Sequence, residues 1–205
     1  MRRVLEIGGF VAGGILIAFG IAVIVLALNG RSTVNDSLSQ ERITGTPDMT
    51  PANIKQEVAG QAWAKDFNFP TCSVAGKAVN NGTTARCFAQ YMRIHALTAT
   101  GGLTYAEMGR YATPDGNAAG TNDATKAVQK NGQPVSNAAR DVWVTETALT
   151  TALNVSYMAT QLALFSLVVG VALLLTGVGF IVLALGALPK RGSEQAVPEP
   201  TPVTA

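Results

Sequence analysis

Two long apolar stretches interrupt the mixed polar and hydrophobic pattern of this chain of 205 residues. No charged residue occurs in the 22 positions from Ile7 to Leu28, or in the 43 positions from Thr147 to Pro189. A helix needs about 20 apolar residues to cross the hydrocarbon core of a bilayer. The pattern predicts two transmembrane helices, over residues 7–28 and 158–188. A cleaved signal peptide is the alternative for the first segment, but its apolar run exceeds the about 7–15 residues usual in such peptides.

Basic residues at the outer ends of both spans predict the orientation of the chain. The first span is preceded by Arg2 and Arg3, and the second is followed by Lys190 and Arg191. Basic residues close to a span are retained on the cytoplasmic side. With two spans, both termini lie on one side, so the two basic pairs agree. We therefore expect a multi-pass protein of the plasma membrane with both termini in the cytoplasm.

This orientation divides the chain into five segments. Residues 1–6 and 189–205 are expected to be cytoplasmic, and residues 29–157 to form an extracytoplasmic domain between the spans. Residues 192–205 contain three prolines and no apolar periodicity, which predicts disorder. The expected fold class is an all-α membrane protein, in which two transmembrane helices flank a mainly helical outer domain.

Local signals predict the elements of the outer domain. Residues 29–48 are polar and indicate a loop or an irregular stalk. Thr50 and Pro51 are typical of a helix start, and this helix is expected to end before Phe69-Pro70. A second helix is expected from Thr84 to Ala99, ended by Gly101-Gly102, before loops rich in glycine and asparagine.

The second span is expected to belong to a much longer helix. Ser136 can cap a helix that starts near Asn137, and neither proline nor glycine follows until Gly170. An uninterrupted helix over residues 138–188 would be about 77 Å long at 1.5 Å per residue. The second span would then extend outward from the membrane into the outer domain. A break near residues 154–157 is the alternative.

The two cysteines, Cys72 and Cys87, both fall in the proposed outer domain. An even number of cysteines in an oxidising compartment indicates a disulfide. The fifteen-position separation lacks the paired, closely spaced donors of a zinc site. A disulfide is therefore expected, with two buried free thiols as the alternative.

Small residues recur at four-residue spacing in both spans. Such residues allow two helix backbones to approach closely in lipid. Those that we expect in helix packing are Gly9, Gly13, Gly14, Ala18, Ala22, Ser166 and Gly170. The expected partner is the other span of the same chain, and the alternative is another subunit. Glycine is also common in membrane helices for no specific reason.

Charge and motif content exclude several classes of function. The segment Asn29–Glu146 carries 11 Lys and Arg against 10 Asp and Glu, so it offers no basic surface for nucleic acid. Nucleotide-binding and hydrolase motifs do not occur. His95 is the only histidine, and a lone histidine beside aromatic residues is more often a packed side chain than a catalyst or a ligand. We expect neither catalytic residues nor a metal or other cofactor.

Three stretches together resemble a group of actinobacterial two-span membrane proteins of unknown function. They are residues 43–51 (ITGTPDMTP), 102–108 (GLTYAEM) and 143–157 (WVTETALTTALNVSY). The resemblance covers nearly the whole chain and implies a bacterial plasma-membrane location. Proteins of this group are sometimes labelled as a small subunit of an aromatic-ring-opening dioxygenase. Such chemistry needs an iron site, which one histidine without a carboxylate cluster does not provide.

These features favour a non-enzymatic envelope protein, a structural or interaction subunit that works through its outer domain. Its partners are then the lipid bilayer and another membrane or envelope protein, or a second copy of the chain. The alternative is an oligomeric channel or an accessory subunit of a transporter. An enzyme is the third hypothesis, and it would depend on His95 or Glu107.

Overall fold

The chain is mostly helical, with two long apolar helices and little sheet. A computed structural model describes residues 2–186, apart from the side chains of residues 2, 3 and 5. The four basic side chains from which the orientation is predicted (Arg2, Arg3, Lys190 and Arg191) therefore lie outside the described residues. The predicted C-terminal tail, residues 189–205, and the last two residues of the predicted second span also lie outside them.

Four α-helices and one short hairpin make up the described chain. Their bounds are α1 Arg2–Gln40, α2 Pro51–Glu57, α3 Gly82–Ala99, β1 Gln129–Lys130, β2 Gln133–Pro134 and α4 Ala138–Gly186. Single 3-10 turns occur at Ala62–Ala64 and Tyr105–Glu107. The strands β1 and β2 pair antiparallel. The hairpin turn places Asn131 and Gly132 at positive φ, as a two-residue turn between twisted strands requires.

Helix α1 continues twelve residues beyond the predicted span, so the prediction of a loop or irregular stalk over residues 29–48 is wrong up to Gln40. The polar side chains in this part bond to their own helix: Thr33 donates to the carbonyl of Asn29, and Ser39 to that of Asn35. Leu38 is buried in a hydrophobic core. Burial of this apolar side chain stabilises a helix that its polar composition disfavours.

Helix α2 begins as the sequence predicts but ends early. Thr50 caps it by accepting a hydrogen bond from the backbone N–H of Asn53 (3.1 Å), and Pro51 is its first residue. The helix ends at Glu57 rather than before Phe69-Pro70. Gly60 follows at φ +89°, a conformation that glycine adopts freely and that a right-handed helix cannot contain.

Helix α3 confirms the prediction of a helix over Thr84–Ala99, with two further residues at its start. Asn81 and Thr84 form a reciprocal capping box at the N-terminus, in which each side chain bonds to the other residue's backbone N–H. Gly101 and Gly102 follow the helix at positive φ, which ends it as expected.

Helix α4 is continuous over 49 residues, and the alternative of a break near residues 154–157 does not occur. Its N-terminal cap is Asn137 rather than the expected Ser136. The Asn137 side chain accepts a hydrogen bond from the backbone N–H of Ala139 at 3.1 Å. It also donates to the carbonyls of Gly109 and Ala118, so one buried side chain links the start of α4 to the preceding loops.

The chain divides into two compact units, each with its own packing. One unit contains the described parts of Met1–Leu26 and Ser166–Ala205, and the other is Ala27–Phe165. The second unit has a core from all four helices, formed by the side chains of Leu38, Met49, Ile54, Val58, Val74, Val79, Tyr91, Ile94 and Leu153. The segment around residues 43–49 also pairs with residues 74–79 through isolated bridges.

In the first unit, α1 and α4 pack antiparallel with their backbones in contact at glycines. A methyl group placed on Gly13 would lie 2.7 Å from the carbonyl oxygen of Gly177, and one on Gly20 would lie 2.8 Å from that of Gly170. Real side chains do not tolerate such distances, so only glycine permits this approach. The glycines lie seven residues apart on each helix, which is the spacing of a left-handed helix pair.

The small residues singled out from the sequence do not all lie in this contact. Gly9, Gly13 and Gly170 face the partner helix, and Ser166 is half-buried. A methyl group placed on Gly14 would have no neighbouring atom within 4 Å, and Ala18 and Ala22 are exposed. The strip of Gly14, Ala18 and Ala22 thus faces away from α4, and its packing against another subunit stays a prediction.

Matched glycine substitutions test the contact between α1 and α4. Gly20→Ala should destabilise the first unit by about 1–3 kcal/mol, because the new methyl group meets the backbone of Gly170. Gly14→Ala is the control, since it makes the same change in helix propensity at a position with open space. Unfolding of both variants in detergent micelles, followed by circular dichroism, gives the comparison. Equal stability of the two variants would contradict the packing.

Candidate functional site

Helices α3 and α4 pack antiparallel in the second unit, and Trp143 fixes one end of this pair. The indole of Trp143 is 2% exposed, and its N–H donates to the carbonyl of Leu103 at 2.8 Å. At the other end, Gly82 lies against Thr160 and the carbonyl of Ser156. The helices are therefore held in register along the whole of α3.

A groove of about 490 Å³ runs along this helix pair, with the segment Phe67–Thr71 as its third side. We call it the α3–α4 groove. It is lined by Phe67, Asn68, Phe69, Pro70, Thr71, Arg86, Ala89, Gln90, Arg93, Glu146, Thr150 and Asn154. Arg86, Gln90 and Arg93 reach it together because residues four and seven positions apart share one face of a helix.

The two arginines of the groove are in different electrostatic environments. Arg93 lies 3.7 Å from the carboxylate of Glu146, which is 3% exposed. Its guanidinium also stacks over the ring of Trp143, 4.5 Å from the centroid. Arg93 thus offsets a carboxylate that would otherwise be buried without a cation.

Arg86 is exposed, and its positive charge is not neutralised by the one carboxylate of the groove, Glu146, which pairs with Arg93. Its guanidinium contacts the side-chain oxygen of Asn154 at 3.4 Å and lies 4.9 Å from the ring centroid of Tyr157. Within residues 2–186, no carboxylate lies in ion-pair range of Arg86. The groove therefore exposes a guanidinium group whose contacts with Asn154 and Tyr157 leave its positive charge without an opposite charge.

The predicted cysteine pair holds the third side of the groove in place. Cys72 and Cys87 form a disulfide, with 6.1 Å between their Cα atoms. This bond attaches the segment that carries Phe67–Thr71 to the first turns of α3, one residue after Arg86. The hydroxyl of Tyr91 adds a second link, because it donates to the carbonyl of Cys72 at 2.7 Å.

Aromatic packing stiffens the same segment. The rings of Phe67 and Phe69 meet edge to face at 5.3 Å, and those of Trp63 and Phe67 do so at 5.7 Å. Such contacts add about 0.5–1.5 kcal/mol each beyond the area that they bury. The aromatic side chains of this wall are consequently held in place, and Asn68 and Thr71 add polar groups beside them.

A second cluster, elsewhere in the same unit, joins Asp48, Glu57 and His95. The Nε2 atom of His95 lies 2.7 Å from a carboxylate oxygen of Asp48. One ligand atom from each of the three residues falls within 4.8 Å of the others. Burial raises the pKa of Asp48, but hydrogen bonds from Thr46, the backbone and His95 together bring this pKa below its ordinary value.

Sequence reasoning missed both the α3–α4 groove and the Asp48–Glu57–His95 cluster. His95 stands alone in the sequence pattern, because Asp48 is 47 positions away along the chain. The groove joins residues 67–71 to residues 86–93 and 146–154. The available signal was the position of Arg86 beside Cys87, because a disulfide at Cys87 brings the segment before Cys72 next to this arginine.

No protein-family model, curated protein or solved structure matches this chain. The resemblance to actinobacterial two-span proteins accordingly stays a prediction.

The ion pair of Arg93 and Glu146 can be tested by removing each partner. Arg93→Ala should lower the free energy of unfolding by about 1–3 kcal/mol, because it leaves the buried carboxylate unpaired. The double variant with Glu146→Gln should regain part of this loss, since the amide carries no charge. Denaturant unfolding of the oxidised protein in detergent measures both.

Arg86→Ala serves as the control for that test, because it removes an exposed arginine of the same groove without breaking an ion pair among the described residues. Its effect on stability should be well below that of Arg93→Ala. If both single variants lose the same stability, or if the double variant is no better than Arg93→Ala, the assigned role of the pair is wrong.

Proposed function

We propose that this protein is a non-enzymatic, two-span membrane protein that holds residues 29–157 outside the membrane and there binds a partner protein. The proposed contact is the α3–α4 groove, and the proposed ligand is an extended segment of the partner that carries acidic side chains. The observation that carries the proposal is the exposed guanidinium of Arg86, which lines the same groove as Phe67 and Phe69 and has no carboxylate partner among the described residues.

The two apolar helices support the membrane anchor. Both α1 and α4 are long and apolar enough to cross a bilayer. Only 17% of the most apolar window of each is buried within the structure, whereas a core helix of a soluble protein buries most of its apolar residues. Lipid would cover the exposed side chains, which include Phe19, Leu26, Phe165 and Leu183.

The disulfide and the basic pairs support the proposed side of the membrane. A disulfide persists in the oxidising space outside the cytoplasm, and Cys72 and Cys87 both belong to the segment between the spans. The basic pairs at the sequence positions next to the spans favour cytoplasmic termini. Both the disulfide and the basic pairs thus support an extracytoplasmic position for residues 29–157.

Charge and hydrogen-bonding capacity favour an acidic peptide in the groove. A guanidinium binds a carboxylate through two parallel hydrogen bonds. The amides of Asn68, Gln90 and Asn154 can donate to peptide carbonyls and accept from peptide N–H groups. Phe67 and Phe69 offer apolar contact to every second side chain of an extended segment. A groove volume of about 490 Å³ accommodates a few residues.

Peptide binding to the full-length, oxidised protein in detergent tests this function. The probe is a fluorescent peptide of alternating glutamate and phenylalanine, and a peptide of alternating lysine and phenylalanine is its control. Arg86→Ala should weaken binding of the acidic peptide about tenfold or more, because a charge-assisted hydrogen bond contributes about 1.5–3 kcal/mol. Arg110→Ala, at an exposed arginine outside the groove, should leave the affinity unchanged.

Three results would contradict the proposal. They are equal binding of the acidic and basic peptides, equal weakening by Arg86→Ala and Arg110→Ala, and full displacement of the acidic peptide by inorganic phosphate at the same concentration. The last result would identify a simple anion site, such as one for a lipid headgroup, instead of a peptide groove.

A further inference from the structure

Three side chains of the types that bind metal ions lie close together in the second unit, although they come from three separate segments. Asp48 belongs to the turn that precedes α2, Glu57 is the last residue of α2, and His95 lies on α3. They offer one imidazole nitrogen and two carboxylate oxygens, all within 4.8 Å of one another. The side chains of Asp48 and His95 are 31% and 30% exposed, and Glu57 is exposed, so the place is open to solvent.

The electrostatics of this cluster leave negative charge unbalanced. Asp48 pairs with His95, but among the described residues Glu57 has no ion pair and no lysine or arginine pairs with Asp48. The carboxylate oxygens of Asp48 and Glu57 lie within 4.8 Å of each other, so their negative charges repel. A single imidazole, even when protonated, offsets only one of the two charges.

Glu57 has a second unfavourable feature in the folded chain. The C-terminal end of a helix presents unpaired carbonyl groups, and a carboxylate there is electrostatically disfavoured. Nevertheless, the sequence places a glutamate at the end of α2, directed toward another carboxylate. A bound cation at the cluster would neutralise the repulsion between Glu57 and Asp48, and would thereby account for this position.

We propose that Asp48, Glu57 and His95 bind a divalent transition-metal ion, and that Zn²⁺ is the ion that the donor set fits best. One nitrogen and two carboxylate oxygens are common zinc donors, with metal–ligand distances of about 2.0–2.2 Å. Water completes the coordination. Ca²⁺ and Mg²⁺ fit less well, because they prefer shells made entirely of oxygen.

Metal binding would replace the present hydrogen bond between His95 and Asp48. The ion takes the lone pair of Nε2, so the ring must be neutral with its proton on Nδ1. When His95 starts as an imidazolium, one proton leaves to solvent for each ion bound.

The ion would act as a clamp on the fold rather than as a reaction centre. It would link the turn at Asp48 and the end of α2 to the middle of α3. Both linked segments contribute to the core of the unit, through Met49 and Val58. The site shares no residue with the α3–α4 groove, so it can be tested separately from the proposed function.

The test is a calorimetric titration of the tag-free, full-length protein in detergent with ZnCl₂, after removal of metal with a chelator. The tag must be absent because His95 is the only histidine of the chain. We expect saturable binding of one ion per protein molecule. Glu57→Gln should weaken Zn²⁺ binding at least tenfold, and His95→Asn should abolish it.

A matched control and a spectroscopic signal make the outcome decisive. Glu41→Gln, at another exposed glutamate, should bind Zn²⁺ as the wild type does. The ring of the single histidine gives one set of nitrogen NMR signals, which should shift on addition of Zn²⁺ in the wild type. Absence of saturable binding, unchanged histidine signals, or equal affinities of the wild type and His95→Asn would overturn the proposal.

Discussion

Contact between the backbones of α1 and α4 is the interaction on which the apolar unit depends. In lipid, as we propose for α1 and α4, two helices gain little from burying apolar side chains against each other, since lipid is equally apolar. Their association relies on close packing instead. Gly13 and Gly20 on one helix, and Gly170 and Gly177 on the other, remove the side chains that would keep the backbones apart. The seven-residue spacing of these glycines on both helices repeats the contact along the pair.

The other unit is held by a different kind of interaction. Its small core is reinforced by the disulfide between Cys72 and Cys87, which in the chain-entropy account stabilises a loop of this length by about 3 kcal/mol. Trp143 and the pair of Arg93 with Glu146 fix α3 against α4. The same contacts create the α3–α4 groove and leave Arg86 exposed at its edge. Stability and the proposed binding surface thus arise from one helix pair.

Local signals in the sequence predict much of this fold. The charge-free stretches, the continuous α4, the start of α2 and the extent of α3 each depend on residues that are neighbours along the chain. The continuation of α1 to Gln40 escaped prediction because serine, threonine and asparagine are typical of loops. Here their side chains bond to the preceding turn, and the burial of Leu38 supplies the missing stabilisation.

The candidate sites could not be predicted in the same way, because their residues meet only through tertiary packing. His95 has no candidate metal ligand near it in sequence, yet its Nε2 atom lies 2.7 Å from a carboxylate oxygen of Asp48 in the folded chain. In the predicted spans, the four-residue spacing pointed to Gly9, Gly13 and Gly170, which face the partner helix, but also to Gly14, Ala18 and Ala22, of which Gly14 meets open space and the two alanines are exposed. Gly20 and Gly177, each seven residues from another glycine of the contact, escaped prediction. Residues four and seven positions apart lie on nearly the same face of a helix. The sequence of one helix therefore does not show which of them contact the partner helix.

The most direct test of the membrane account is the accessibility of two single cysteines in intact cells. The native cysteines are joined in a disulfide, so a membrane-impermeant maleimide reports only on an added thiol. Lys130→Cys, at an exposed position of β1, should react in intact cells. Ser193→Cys, beyond the second apolar stretch, should react only after the membrane is permeabilised. Reaction of Ser193→Cys in intact cells, or protection of Lys130→Cys until permeabilisation, would contradict the account.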